Sequence, residues 1–154
     1  MIERQDQADK KVGVLLSKSC TTGWRHWKHG ALWLFPDGIL RVPLGWLETG
    51  YIFNPRNTPP VDFDMDDADF ADLTSEPRNL WISKDIIADA TLRHTLFAAD
   101  ELRAELADGR PIQLLWMPNR YVFTILGTVL HEWLGDRLTV GKIKTNSNGN
   151  EATP

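Results

Sequence analysis

A chain of 154 residues with a formal net charge of −4, seven Trp, six Phe and one Cys has the length of a single domain and an aromatic-rich supply of core side chains. One cysteine excludes an internal disulfide, and a chain that is acidic overall is a poor non-specific binder of nucleic acid. The opening Met1-Ile-Glu-Arg-Gln-Asp-Gln-Ala-Asp-Lys10 is too polar for a secretory signal, and no apolar run approaches the roughly 20 residues that cross a bilayer, so the expectation is a cytoplasmic protein.

Residues 1–11 read as a flexible tail. The charge along the chain is segregated: residues 1–30 hold six Lys/Arg against three Asp/Glu, while Asp62–Glu76 holds seven acids and no base. Val12-Gly-Val-Leu-Leu-Ser17 is the first strand candidate. It leads into Cys20-Thr-Thr-Gly-Trp-Arg-His-Trp-Lys-His-Gly30, a loop or edge strand crowded with aromatic and basic side chains.

Ala31–Leu44 predicts a hairpin turning at Phe35-Pro36-Asp37-Gly38, with Pro second and Gly fourth as a type I turn prefers. On its outgoing strand Leu40, Val42 and Leu44 alternate with Arg41 and Pro43, which predicts one buried and one wet face. Pro43 marks an edge position or the strand's end. Residues 45–78, with four prolines and the acidic run, read as a partly mobile insertion that Tyr51, Phe53, Phe63 and Phe70 could anchor.

Strand character returns at Asn79–Ser83. In Asp85–His94, Ile86, Ala88, Ala90 and Leu92 share one face. Ala98–Ala107 has helix-forming residues, yet Ala107-Asp-Gly-Arg110 is a hairpin turn into Ile112–Met117. The segment is therefore read as a strand with Leu102, Ala104 and Leu106 inward and Arg103 and Glu105 outward. From Asn119 to Leu138 the period changes. Val122, Ile125, Leu126, Val129, Leu130, Trp133 and Leu134 recur at steps of three and four, predicting an amphipathic helix with Asn119 as N-cap and Gly135 as its stop. Leu126, Val129, Leu130 and Trp133 are expected in its buried stripe. Residues 139–154 read as a disordered tail.

Seven strand candidates followed by one amphipathic helix resemble a pleckstrin-homology-like (PH-like) domain. Asp85–Leu96, Leu102–Trp116 and the closing Leu134-Gly-Asp-Arg-Leu138 look like the rear half of bacterial domains of that type. The resemblance covers residues 12–45 and 79–138. It implies an α+β, mainly β fold: a split barrel of about seven antiparallel strands capped by the helix, forming a single domain over residues 12–138. It also implies a scaffold that docks peptides, proteins or lipid headgroups, and fold alone does not choose among these.

Candidate chemistry is sparse. Asp62-x-Asp64-x-Asp66-Asp67-x-Asp69 resembles the start of a calcium loop, but the sixth position holds Asp67 where Gly is needed and the twelfth holds Leu73 where Glu is needed; a solvated acidic stretch is the better reading. His26 and His29 are two ligands where zinc needs three or four. His94 and His131 read as packed or surface histidines. Cys20, beside a basic segment, could have a lowered pKa, but a lone thiol with no identified base reads better as inert. No nucleophile elbow, phosphate loop or paired-Cys motif is present. Neither a cofactor nor a metal is expected.

The segment Trp24, Arg25, His26, Trp27 and Lys28 is the candidate binding site, since Trp and Arg are enriched at interface hot spots and clasp anions. The leading expectation is a non-catalytic module that binds a protein partner or itself. The alternative is an anionic-ligand or lipid-headgroup binder using Lys10, Lys11, Lys18, Arg25 and Lys28, for which peripheral membrane contact is not favoured. The distant third is a small hydrolase using His26 and Cys20.

Overall fold

Phe35 and Gly38 face each other across the tight turn formed by Pro36 and Asp37, joining β2 (Gly30–Phe35) to β3 (Gly38–Pro43). Gly38 is required there by close approach, because a Cβ would run into the Ile82 carbonyl and the Trp81 ring. The computed structural model describes residues 11–23, 28–43, 61–94 and 98–142. Around this hairpin the chain adds β1 (Lys11–Cys20), β4 (Val61–Met65) and β5 (Leu80–Ser83), giving a five-stranded antiparallel sheet in the order β4-β1-β2-β3-β5.

A second sheet contains β6 (Ile87–His94), β7 (Asp100–Leu106), β8 (Pro111–Trp116) and β9 (Leu138–Lys142) in the order β8-β7-β6-β9. The hairpin between β7 and β8 turns at Asp108-Gly109, where Gly109 takes φ 85° and Leu106 donates its N–H to Arg110 O at 2.9 Å. β7 is a strand with the expected faces: Leu102, Ala104 and Leu106 buried, Arg103 and Glu105 exposed. The two sheets meet at a bridge between Thr21 and Leu115, whose N–H and C=O groups exchange bonds of 2.8 and 2.9 Å. They meet again where a 3-10 turn at Lys84–Ile86 carries the chain from β5 into β6. Neither sheet closes on itself. The molecule is thus α+β and mainly β.

The core lies between the sheets. Leu16, Cys20, Leu32, Leu34, Ile39 and Ile82 from the first sheet pack with Ile87, Ala90, Leu92, Leu102, Leu114 and Trp116 from the second. Helix α2, whose range Arg120–Leu134 follows a helix α1 at Asp67–Ser75, packs on this core. Asn119 caps α2, its Oδ1 accepting the N–H groups of Tyr121 and Val122 at 2.9 and 3.2 Å. Gly135 stops it with φ 55° and ψ −122°, a conformation few other residues adopt. The buried row is Val122, Leu126, Leu130 and Leu134, one residue per turn. Val129 and Trp133, expected in the buried stripe with Leu126 and Leu130, are only half-buried on its flank. A step of four drifts slowly around the helix, so one row of four leucine-sized residues fills the contact and its neighbours sit at the rim.

Several expectations are corrected. β3 has no wet face: Ile39 and Arg41 point into the core side, and Leu40 and Val42 point outward under α1. The outer surface of the first sheet supports a second cluster, in which Phe35 and Leu40 pack with Trp33, Val42, Trp81 and with Phe70 and Leu73 of α1. Phe35, Phe70 and Trp81 meet edge to face, with centroids 4.9 to 6.2 Å apart. Residues 61–75, read as part of an insertion, therefore build a strand paired with β1 and a helix anchored by Phe70. Tyr51 and Phe53 lie outside the described residues. Pro43 ends β3, yet β3 is flanked by β2 and β5 and is no edge.

A bulge between Ile87 and Asp89 puts Ile87, not Ile86, on the face of Ala90 and Leu92; Ile86 is exposed in the 3-10 turn. Finally, residues 138–142 are a strand rather than a tail, and β9 runs parallel to β6. Residues 143–154 lie outside the described residues.

Candidate functional site

Of the five residues in the candidate binding segment, Trp24, Arg25, His26 and Trp27 lie outside the described residues, and Lys28 is exposed. The structure defines what holds the two ends of this segment. At the entrance, Thr21 bridges to Leu115 of β8, and Gly23 turns the chain with φ 134°. At the exit, Gly30 begins β2.

Beneath both ends sits Arg41. Its Nε donates to Cys20 O at 3.1 Å and its Nη2 donates to Lys28 O, so one guanidinium spans the connection from β1 to β2. Gly30 leaves room for it: a Cβ there would stand 2.9 Å from Arg41 Nε. Arg41 is 7% exposed, and no Asp or Glu forms an ion pair with it among the described residues. Among the described residues the guanidinium is held by carbonyl dipoles alone, so its positive charge is not cancelled by a carboxylate. Together with exposed Lys28 it places two positive charges at the described C-terminal end of the β1–β2 connection.

Of the cations proposed for an anion site, the described Lys11 and Lys18 do not converge. Lys18 is exposed toward the far end of β1, but Lys11 lies at its start, bonded to Asp37 Oδ2 at 2.9 Å and stacked over the Phe70 ring. At about 3.3 Å per strand residue, the two lysines are separated by roughly 23 Å. Lys10 and Arg25 lie outside the described residues.

Cys20 is fully buried, and burial pushes its thiol up to about 12, against a smaller lowering by Arg41. A basic neighbour is present, but loss of water outweighs it, so the thiol is of the inert kind rather than an activated one. His131 is exposed on α2. His94 packs on Phe123 and bonds to the buried Asp100.

The acidic run is not a coordination loop, since residues 61–65 are strand and 67–75 helix. Asp66 Oδ1 accepts the N–H of Asp69 at 2.8 Å and caps α1. Among the described residues no three His, Cys, Asp or Glu side chains come together to hold a metal ion. Neither Lys28 nor Asp67, Asp69 or Asp72 forms an ion pair among the described residues, so the described part of the basic segment is not masked by the acidic helix. No described helix is long and apolar enough to cross a membrane.

Sequence reasoning missed Arg41, which it placed on a wet face. The signal was the pair Ile39-Leu40: consecutive apolar residues on a strand mean that both faces are covered. No known protein-family model matches the chain, and no curated protein matches it.

Proposed function

We propose that this chain is a non-catalytic binding module on a PH-like split barrel, docking a protein partner or a second copy of itself through Trp24, Arg25, His26, Trp27 and Lys28. The supporting architecture is the order of elements. With β4 and β9 set aside, β1-β2-β3-β5 form a four-stranded antiparallel sheet, β6-β7-β8 a three-stranded one, and α2 follows and packs on the core between them. This is the order that the PH-like resemblance implies. Cytoplasmic location belongs to the same reading.

The observation that carries the site is Arg41. A side chain so buried, bonded to Cys20 O and Lys28 O at once, fixes the two ends of the connection relative to each other. A segment held at both ends loses less entropy on docking than a free loop would, and Trp and Arg then supply the contact. The partner surface that fits is acidic with exposed apolar area. The test is binding of an acidic, aromatic-containing peptide or of a second copy, compared between wild type and the double variant Trp24→Ala/Trp27→Ala. Loss of binding with an unchanged melting temperature supports the reading; unchanged binding removes it.

The anion-binding alternative keeps one favourable observation, the uncompensated charge of Arg41 beneath Lys28. It requires affinity for a polyanion that falls steeply with salt, without dependence on Trp24 and Trp27.

A further inference from the structure

The bridge between Thr21 and Leu115 is the beginning of a strand pairing that no further described residue extends. Leu115 directs both its N–H and its C=O to Thr21, away from β7. Antiparallel pairing alternates, so Gln113 and Pro111 also direct their backbone groups to that outer side, while Trp116, Leu114 and Ile112 bond to β7. The Leu106–Arg110 bond at the hairpin end has the same parity. A continuing β1 would place residue 23 opposite Gln113. Gly23 instead bends the chain with φ 134°, and no described residue pairs with Gln113 on that side.

An open cleft of about 490 Å³ lies at this edge, lined by Thr22, Asp89, Thr91, Arg103, Glu105 and Gln113 among others. Its outer-face rows follow from the register. One row is Thr91, Arg103 and Gln113; the next is Asp89, Glu105 and Pro111. Arg103 is engaged, its Nε 2.8 Å from Glu101 Oε1. Asp89 and Glu105 stand directly opposite each other, both exposed, and neither forms an ion pair among the described residues. Like charges facing across a strand pair are unfavourable, and a cation placed beside them relieves this.

We infer that the outer edge of β8 is a second binding site, which takes an extended peptide strand antiparallel to β8 with a Lys or Arg two residues after the one facing Gln113. The residue facing Gln113 exchanges backbone bonds with it, extending the sheet by one strand. Side chains opposite each other share a face, so the residue two positions later stands beside Pro111 in the Asp89–Glu105 row. Pro111 has no long side chain, which leaves a path over its ring to the Glu105 carboxylate. Pro111 also lacks an N–H, so recognition there depends on the basic side chain rather than on the ladder.

The test uses the full chain and two probes, Ac-Thr-Val-Lys-Val-Thr-NH2, whose first residue faces Gln113 and whose Lys faces Pro111, and its twin with Glu in place of Lys, titrated while backbone amide signals are recorded. The expected result is a shift of the Gln113 and Thr22 amides with the Lys probe, and affinity about tenfold weaker for the Glu probe. Glu105→Gln should erase that preference, and Gln113→Pro, which removes the edge N–H, should abolish binding. If Gln113→Pro does not fold, the Glu105→Gln comparison and the map of shifted amides decide. Equal affinity for both probes, no shift at Gln113, or full affinity in a folded Gln113→Pro variant overturns the inference. So does a Gln113 shift that grows with protein concentration in the absence of peptide, which would make a second copy the occupant.

Discussion

His94 Nδ1 lies 2.7 Å from Oδ1 of Asp100, a carboxylate with no exposed surface. The other oxygen of Asp100 accepts the backbone N–H of Asn119 at 3.2 Å, and Asn119 in turn caps α2. One buried carboxylate therefore joins the end of β6 to the start of the helix that covers the core. Asp100→Ala should cost about 1–3 kcal/mol, the range for leaving buried hydrogen-bonding groups without their partner. Asp100→Asn, which keeps acceptor capacity for Asn119, should cost less. Urea denaturation of the two variants measures both, and two costs near zero would show that the link carries no stability.

Helix α2 gives a sharper comparison. Leu126 is completely buried in the four-residue row, while Trp133 is half-buried at its flank. Leu126→Ala should cost about 2–5 kcal/mol, because it leaves a cavity among Leu92 and the inner faces of both sheets. Trp133→Ala should cost less than that despite its larger side chain, since part of its surface already meets water. The order of the two denaturation midpoints checks the assignment of the buried row.

Phe70 fastens α1 to the first sheet through Phe35 and Trp81. No residue of α1 is fully buried, so its stability comes from this one cluster. Phe70→Ala should release the helix without unfolding the core between the sheets. Hydrogen exchange should accelerate at residues 67–75 and stay slow at Leu102 and Leu114. Acceleration throughout the chain would make the outer cluster part of a single cooperative core.

Cys20 makes stability depend on alkaline pH. Burial raises its thiol from an ordinary value of 9.0 to about 12, against a smaller lowering by Arg41. The folded state holds the proton more tightly, so this contribution is fully present below pH 9 and is lost as pH rises toward 12, about 4 kcal/mol in all. Wild type should lose stability relative to Cys20→Ala by roughly 1.4 kcal/mol per unit over that window. Thiol reagents should react with Cys20 only at the rate of unfolding. A constant difference between the two proteins from pH 8 to 11 would place the thiol in contact with water.

Much of the fold is written in short-range pattern. The Asp-Gly turns, the alternation Leu102, Ala104, Leu106, and the Asn119 cap are local signals, and local bonding satisfies them. What the pattern missed depends on distant partners. β3 looked one-sided because nothing near it in sequence says that α1 will cover Leu40 and Val42. The acidic run looked unstructured because its helix packs through Phe70 and Leu73 on Trp33, Phe35, Leu40 and Val42, roughly 30 to 40 positions earlier in the chain. Arg41 was legible only as a charge. Its role comes from the register that sets Gly30 opposite Pro43 and leaves space for a guanidinium between two carbonyls. Asp100 gave no signal at all, since its partners His94 and Asn119 lie on separate elements.

The central claim is that the segment between β1 and β2 docks a protein surface. Sedimentation velocity of wild type and Trp24→Ala/Trp27→Ala, alone and with an acidic aromatic peptide, tests it most directly. The expected result is a wild-type complex, with itself or with the peptide, that weakens with added salt and disappears in the double variant, both proteins remaining folded. Identical sedimentation of the two proteins under every condition would contradict the claim and leave the segment as ordinary structure.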